Sequence, residues 1–156
     1  MLKIISGGQT GVDRAALDAA LQLGLPCGGF CPKGRKSEDG MIHEKYPLTE
    51  TKTDIYAERT ELNVKTSDGT LILIDGKADR GTKLTARLCK QHHKPCLLID
   101  ISDEKQIPDV KNWLRRNNIS ILNVAGNRES SSPGIGLKGF VFLTETLKNV
   151  MFPNQS

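Results

Sequence analysis

Aromatic side chains are scarce in this chain, with four Phe, two Tyr and one Trp among 156 residues. Lys and Arg outnumber Asp and Glu by 22 to 18, but no basic block concentrates the excess. Nucleic-acid surfaces present clustered cations or stacking aromatics, so no nucleic-acid partner is expected. Cysteines are few and irregularly spaced: Cys27, Cys31, Cys89 and Cys96. They form no disulfide framework and are read as free thiols. Cys27 and Cys31 also lack the second pair or nearby histidine that completes a zinc set. No apolar run exceeds strand length, so no membrane span is expected. The start, Met1 to Gly8, lacks the long apolar segment and cleavage site of a signal peptide, which points to the cytoplasm.

What is present suits one ordinary globular domain over 1–156, with 37% hydrophobic and 26% charged residues. The chain turns on Ser6-Gly7-Gly8-Gln9-Thr10-Gly11-Val12-Asp13-Arg14. An apolar run, Leu2 to Ile5, precedes it. A helix to about Leu23 follows, with Val12, Ala16, Ala19, Ala20 and Leu23 on one face. A buried strand turning through glycines into a helix leaves N–H groups unpaired at the positive end of the helix dipole. This loop is read as a phosphate cradle. Asp13 is read as a helix cap or a salt-bridge partner, and Gly24 and Pro26 stop the helix.

Further on, Cys27 to Pro32 reads as a short strand. A long polar loop at about 33–53 follows, bearing Lys33, Gly34, Arg35 and Asp39, with Tyr46-Pro47-Leu48 as an anchor to the core. Asp54 to Lys65 is read as a helix whose Tyr56, Arg59, Thr60 and Asn63 share one face. That polar mixture suits a cleft as well as a solvated surface. Thr70 to Asp75 is a continuous apolar run expected at the sheet centre, and a helix after Gly81-Thr82 buries Leu84, Leu88 and Cys89. Cys96 to Ile101 is expected as another buried strand and Ile119 to Val124 as the last. Between them Ile107, Val110 and Leu114 mark a helix. A final helix spans about Ile135 to Met151, burying Phe140, Leu143, Leu147, Val150 and Met151.

Strands alternating with helices predict an α/β, Rossmann-like doubly wound sheet of five mostly parallel strands with helices on both faces. The economical strand order is 2-1-3-4-5. It reverses between the first and third strands and brings the loops Gly7 to Gly11 and Gly76 to Thr82 to one crevice. The mild cationic surplus then suits a small phosphorylated ligand. Gly76 to Lys83 has P-loop glycine spacing with the lysine and hydroxyl reversed, and the first loop lacks G-x-G-x-x-G spacing. Neither NTP hydrolysis nor ordinary NAD binding is expected. Cys31 has no histidine partner and is read as an inert thiol.

Gly7 to Ala16, Cys31-Pro32-Lys33-Gly34-Arg35, Glu38-Asp39-Gly40 and Tyr46-Pro47-Leu48 together resemble the molybdenum-cofactor carrier family, within the SLOG group of Rossmann-like binders. Arg59-Thr60, Asn63-Val64, Ser67 to Thr70, Gly81-Thr82 and Ala125 to Ser130 continue the likeness over nearly the whole chain. The family pattern has two glycines before Thr82; here the first is Arg80. The resemblance implies a non-enzymatic homo-oligomeric carrier that shields molybdenum cofactor (molybdopterin) and passes it to recipient molybdoenzymes. Under it the phosphate takes the amides of Gly8 to Gly11 and the Thr10 hydroxyl, while Arg14, Lys33 and Arg35 meet phosphate or oxo-metal oxygens. Gln9, Asp39 and Asn63 then read the pterin edge, with Gly7, Gly34, Arg59, Gly81 and Thr82 completing the expected set. A nucleotide sensor, or a phosphoribohydrolase of the lysine-decarboxylase-like branch, stays open as an alternative.

Overall fold

A computed structural model describes residues 1–150. In chain order the elements are β1 (Lys3–Ile5), α1 (Val12–Leu23), β2 (Cys27–Gly28), β3 (Phe30–Cys31), β4 (Lys36–Ser37), β5 (Gly40–Met41) and β6 (Thr49–Glu50). Then come α2 (Tyr56–Thr66), β7 (Gly69–Ile74), α3 (Arg80–Gln91), β8 (Cys96–Asp100), α4 (Val110–Arg116), β9 (Ile121–Gly126) and α5 (Ile135–Leu147). The main sheet has five strands, all paired in parallel, so the expected Rossmann-like α/β architecture holds.

The strand order is β2-β1-β9-β7-β8, so the last strand lies between the first and third of the expected 2-1-3-4-5 order rather than at the far edge. The last strand enters between β1 and β7, pairing Ile4 with Leu122 and Leu71 with Val124. Burial explains the arrangement. Every residue of β7 is buried, and Leu122, Asn123 and Val124 of β9 are too, so these two strands take the centre. The β8 strand, expected to be buried, lies at the sheet edge with Cys96 and Leu98 exposed. Steps toward the β2 edge place α1 and α4 on the face that α5 covers. Steps toward β8 place α2 and α3 on the other, as a constant crossover hand requires. Leu71, Leu73, Leu122 and Val124 form the core with Val12, Ala16, Ile135 and Leu143.

The expected second strand is two strands. Gly29, at φ +123°, breaks it, so β2 stays in the main sheet while β3 pairs with β6. The 33–53 excursion is built rather than loose, with a β4–β5 hairpin. Its anchor is Tyr46, buried and donating its hydroxyl to Asp18 at 2.7 Å. Leu48 is half-buried, whereas Pro47 remains exposed. The final helix ends at Leu147, and Met151 lies outside the described residues. All four cysteines are free, and burial pushes the Cys31 thiol above its ordinary value.

Candidate functional site

With β9 inserted, the chain turns away from the sheet centre on both sides, and the loops after β1, β7 and β9 meet above its carboxyl end. Gly8 and Gly11 take left-handed backbone at φ +76° and +81°. Gly11 also lies so close to the Asn127 carbonyl that a Cβ there would overlap backbone. This contact locks the first loop to the third, and the Val12 amide donates to Asn127 O at 3.1 Å.

The first-loop amides are turned inward. Gly8 N donates to Ser6 Oγ at 3.3 Å, Gln9 N to Asp13 Oδ2 at 3.3 Å and Thr10 N to Gln9 Oε1 at 3.1 Å. Of the Gly8 to Gly11 amides expected to cradle a phosphate, those of Gly8, Gln9 and Thr10 are therefore already taken by the protein's own acceptors. Asp13 does not cap α1, whose N-cap is Gly11 with no side-chain bond. Its carboxylate instead forms a buried ion pair with Arg59 at 3.1 Å, both side chains being about nine-tenths buried. Burial raises the Asp13 carboxyl above its usual range, opposed by the Arg59 guanidinium and the Gln9 amide.

Beneath this pair lies a slot of about 40 Å³, walled by Gly7, Gln9, Asp13, Arg59, Asn63 and Arg128 among others. It is roofed by α2, whose Tyr56, Arg59, Thr60 and Asn63 do face the cleft. Asn63 is itself engaged, bonding both polar atoms of Phe30's backbone at 2.8 and 3.0 Å. Gln9 Oε1 accepts from Thr10 N and from Glu38 N at 2.9 Å, which fixes the amide so that Nε2 points away from these partners. Gln9 Nε2 and Arg59 Nε are buried and find no acceptor among the described residues. Both residues line the slot, and buried donors without a partner call for an acceptor from outside.

Asp79, Gly81 and Arg128 line both the slot and a neighbouring chamber of about 810 Å³ over the start of α3. Asp79 caps α3, accepting from Thr82 N at 2.9 Å and Arg128 N at 3.0 Å. Burial opposes its ionisation, but these amides hold its carboxyl below the ordinary value. The Thr82 hydroxyl is spent on Asn127 Oδ1 at 3.0 Å. Arg128 and the cations of this chamber were absent from the sequence-based site. Their signals were the Ala125 to Ser130 segment, which carried a resemblance but no role, and the spacing of Arg80, Lys83 and Arg87.

The remaining predicted residues lie elsewhere. Thr10, Gly11, Arg14 and Asp39 line a separate cavity of about 580 Å³ between α1 and α5, beside Glu38 and Glu129. Arg14 pairs with Asp39 at 2.5 Å and donates to Gly8 O at 3.1 Å. Thr10 bonds the Glu38 carboxylate. Lys33, Gly34 and Arg35 line none of these cavities. The Arg35 guanidinium faces the carbonyls of Ile42, His43, Tyr46 and Leu48 at 2.7 to 3.4 Å. It ties the excursion together. Gly34 N donates to Glu50 Oε1 at 2.6 Å, and Lys33 is exposed.

No helix among the described residues is long and apolar enough to cross a membrane, and no group of three or more metal-ligating side chains occurs among them. No curated protein matches the chain. A solved structure from Syntrophus aciditrophicus SB, named "Putative molybdenum carrier protein", is 44% identical. It superposes at a TM-score of 0.88, with 94% of this chain and 95% of that one covered. The model of the circularly permutated YpsA SLOG family matches residues 4–147. Matched by that model over most of its length, the chain belongs to the circularly permutated YpsA SLOG family.

Proposed function

We propose that this protein is a carrier that binds a phosphorylated molybdopterin-type ligand in the crevice above β1, β9 and β7 and releases it unchanged. One observation carries the reading: two residues that line the slot, Gln9 and Arg59, each have a buried nitrogen, Nε2 and Nε, with no acceptor among the described residues. Such donors favour a ligand that presents oxygens, and the buried guanidinium favours an anionic one. The relative's name supports molybdenum as part of that ligand. Molybdenum cofactor offers oxygens at both ends, on its oxo-metal centre and on its terminal phosphate. The slot is too small for a pterin and takes one oxyanion end, while the rest lies along Arg128 toward the chamber. In this reading the grip comes from side chains, and the glycine loop sets their positions. The open chamber leaves the cargo within reach of a recipient molybdoenzyme.

Gln9→Glu tests the site cleanly. It keeps the oxygen that accepts from Thr10 N and Glu38 N, and exchanges the orphaned donor for a second, negatively charged oxygen. Anaerobic titration with purified molybdenum cofactor, at a temperature where both proteins are folded by circular dichroism, should show affinity reduced about tenfold or more. Equal affinity for both proteins would remove the slot from the site.

A further inference from the structure

We infer that the ligand of this crevice carries at least two linked phosphoryl groups, held by the α3 face of the chamber, rather than a single terminal phosphate. The inference rests on the carrier reading and specifies the form of the cargo. Lys77, Arg80, Lys83, Arg87 and Arg128 line the chamber, and Asp79 is its one acidic wall residue, occupied by two backbone amides. Its surplus of four positive charges equals the formal net charge of the entire chain. Among the described residues, Lys77, Arg80, Lys83 and Arg87 have no ion-pair partner.

Placing those charges there is unfavourable without a ligand. Arg80, Lys83 and Arg87 fall at i, i+3 and i+7 of α3 and so share a face. The row begins at the positive end of the helix dipole, where no acidic residue stands in the first turn. Arg80 and Lys83, in the first turn, oppose the helix dipole, and like-charged neighbours three or four apart repel one another along the row. Arg80 and Arg87 are separated by about 10 Å along the helix axis. One phosphate meets one end of that row; linked phosphoryl groups meet its length. Arg128, Asp79 and Gly81 border both slot and chamber, and the slot side carries the buried Arg59 Nε, which has no acceptor among the described residues. Arg80 therefore serves as an added contact for the outer phosphoryl group.

Calorimetric titration of the full chain with pyrophosphate and with orthophosphate, in EDTA at fixed ionic strength, tests this. Pyrophosphate should bind about tenfold more tightly or better. The pair Arg80→Gln and Arg87→Gln should cut pyrophosphate affinity about tenfold and orthophosphate affinity less than about threefold. Arg115→Gln with Arg116→Gln, which removes equal charge from exposed positions on α4, should leave both within about twofold. Equal affinity for the two anions overturns the inference, and so does an equal loss in the α4 control. Neither probe contains molybdenum. If cofactor fails to bind while pyrophosphate behaves as stated, the carrier reading falls and the diphosphate site stands. If cofactor binds and pyrophosphate gains nothing over orthophosphate, the diphosphate site falls alone.

Discussion

At the scale of single residues, function depends on which side of one atom is free. Gln9 gives its oxygen to two amides, and its buried nitrogen has no acceptor among the described residues, so the bonds that hold the loop also set the side chain that the proposed site uses. Gly11 sits against Asn127 O in left-handed backbone. Gly11→Ala adds conformational strain to a backbone overlap and should cost about 3 kcal/mol in urea denaturation. Gly34 shares the positive φ but has nothing within 4 Å of its added Cβ. Gly34→Ala should therefore cost only about 1–2 kcal/mol, the price of the left-handed conformation alone. Asp13→Ala leaves Arg59 buried without its partner and should lower stability by about 3–5 kcal/mol, measured the same way.

At the scale of elements, the part of the site carried by regular structure was legible. The i, i+3, i+4, i+7 spacing on α2 put Tyr56, Arg59, Thr60 and Asn63 on one face, because helical periodicity fixes a face, and the structure shows that face lining the slot and chamber. The turn from β1 into α1 was equally plain. Arg35, expected at a ligand, meets backbone carbonyls of its own excursion, because an arginine in a polar segment has the same sequence signature in either setting. Arg35→Gln separates these roles. Hydrogen exchange of the 42–48 amides should quicken about tenfold, while affinity for molybdenum cofactor stays unchanged. Strand order was illegible for a different reason. Apolar runs record burial along a strand but carry no mark of which neighbour lies beside it, so β9 could not be placed between β1 and β7.

At the scale of the whole molecule, ionisation links the 33–53 excursion to stability. The Arg14 guanidinium, then the Ser37 hydroxyl, hold the Asp39 carboxyl down to about 2 from an ordinary 3.8. A carboxylate depressed on folding stabilises the protein above its unfolded value and loses that contribution as pH falls through the folded one. Wild-type stability should therefore decline between about pH 4 and pH 2. Asp39→Asn should be less stable at pH 7 by no more than about 1 kcal/mol, since the pair is half exposed, and the gap should close near pH 2. Chemical denaturation at the two pH values reads both.

The late insertion of Ile121–Gly126 also shapes how this protein is made. On the ribosome, Lys3–Ile5 and Gly69–Ile74 emerge long before the segment that lies between them. Until it arrives, each offers unpaired backbone on the side meant for it, a standing invitation to pair with a neighbouring nascent chain. A ribosome-stalled fragment ending near residue 118 should thus need a chaperone to stay dispersed, and one extended past the end of α5 should not.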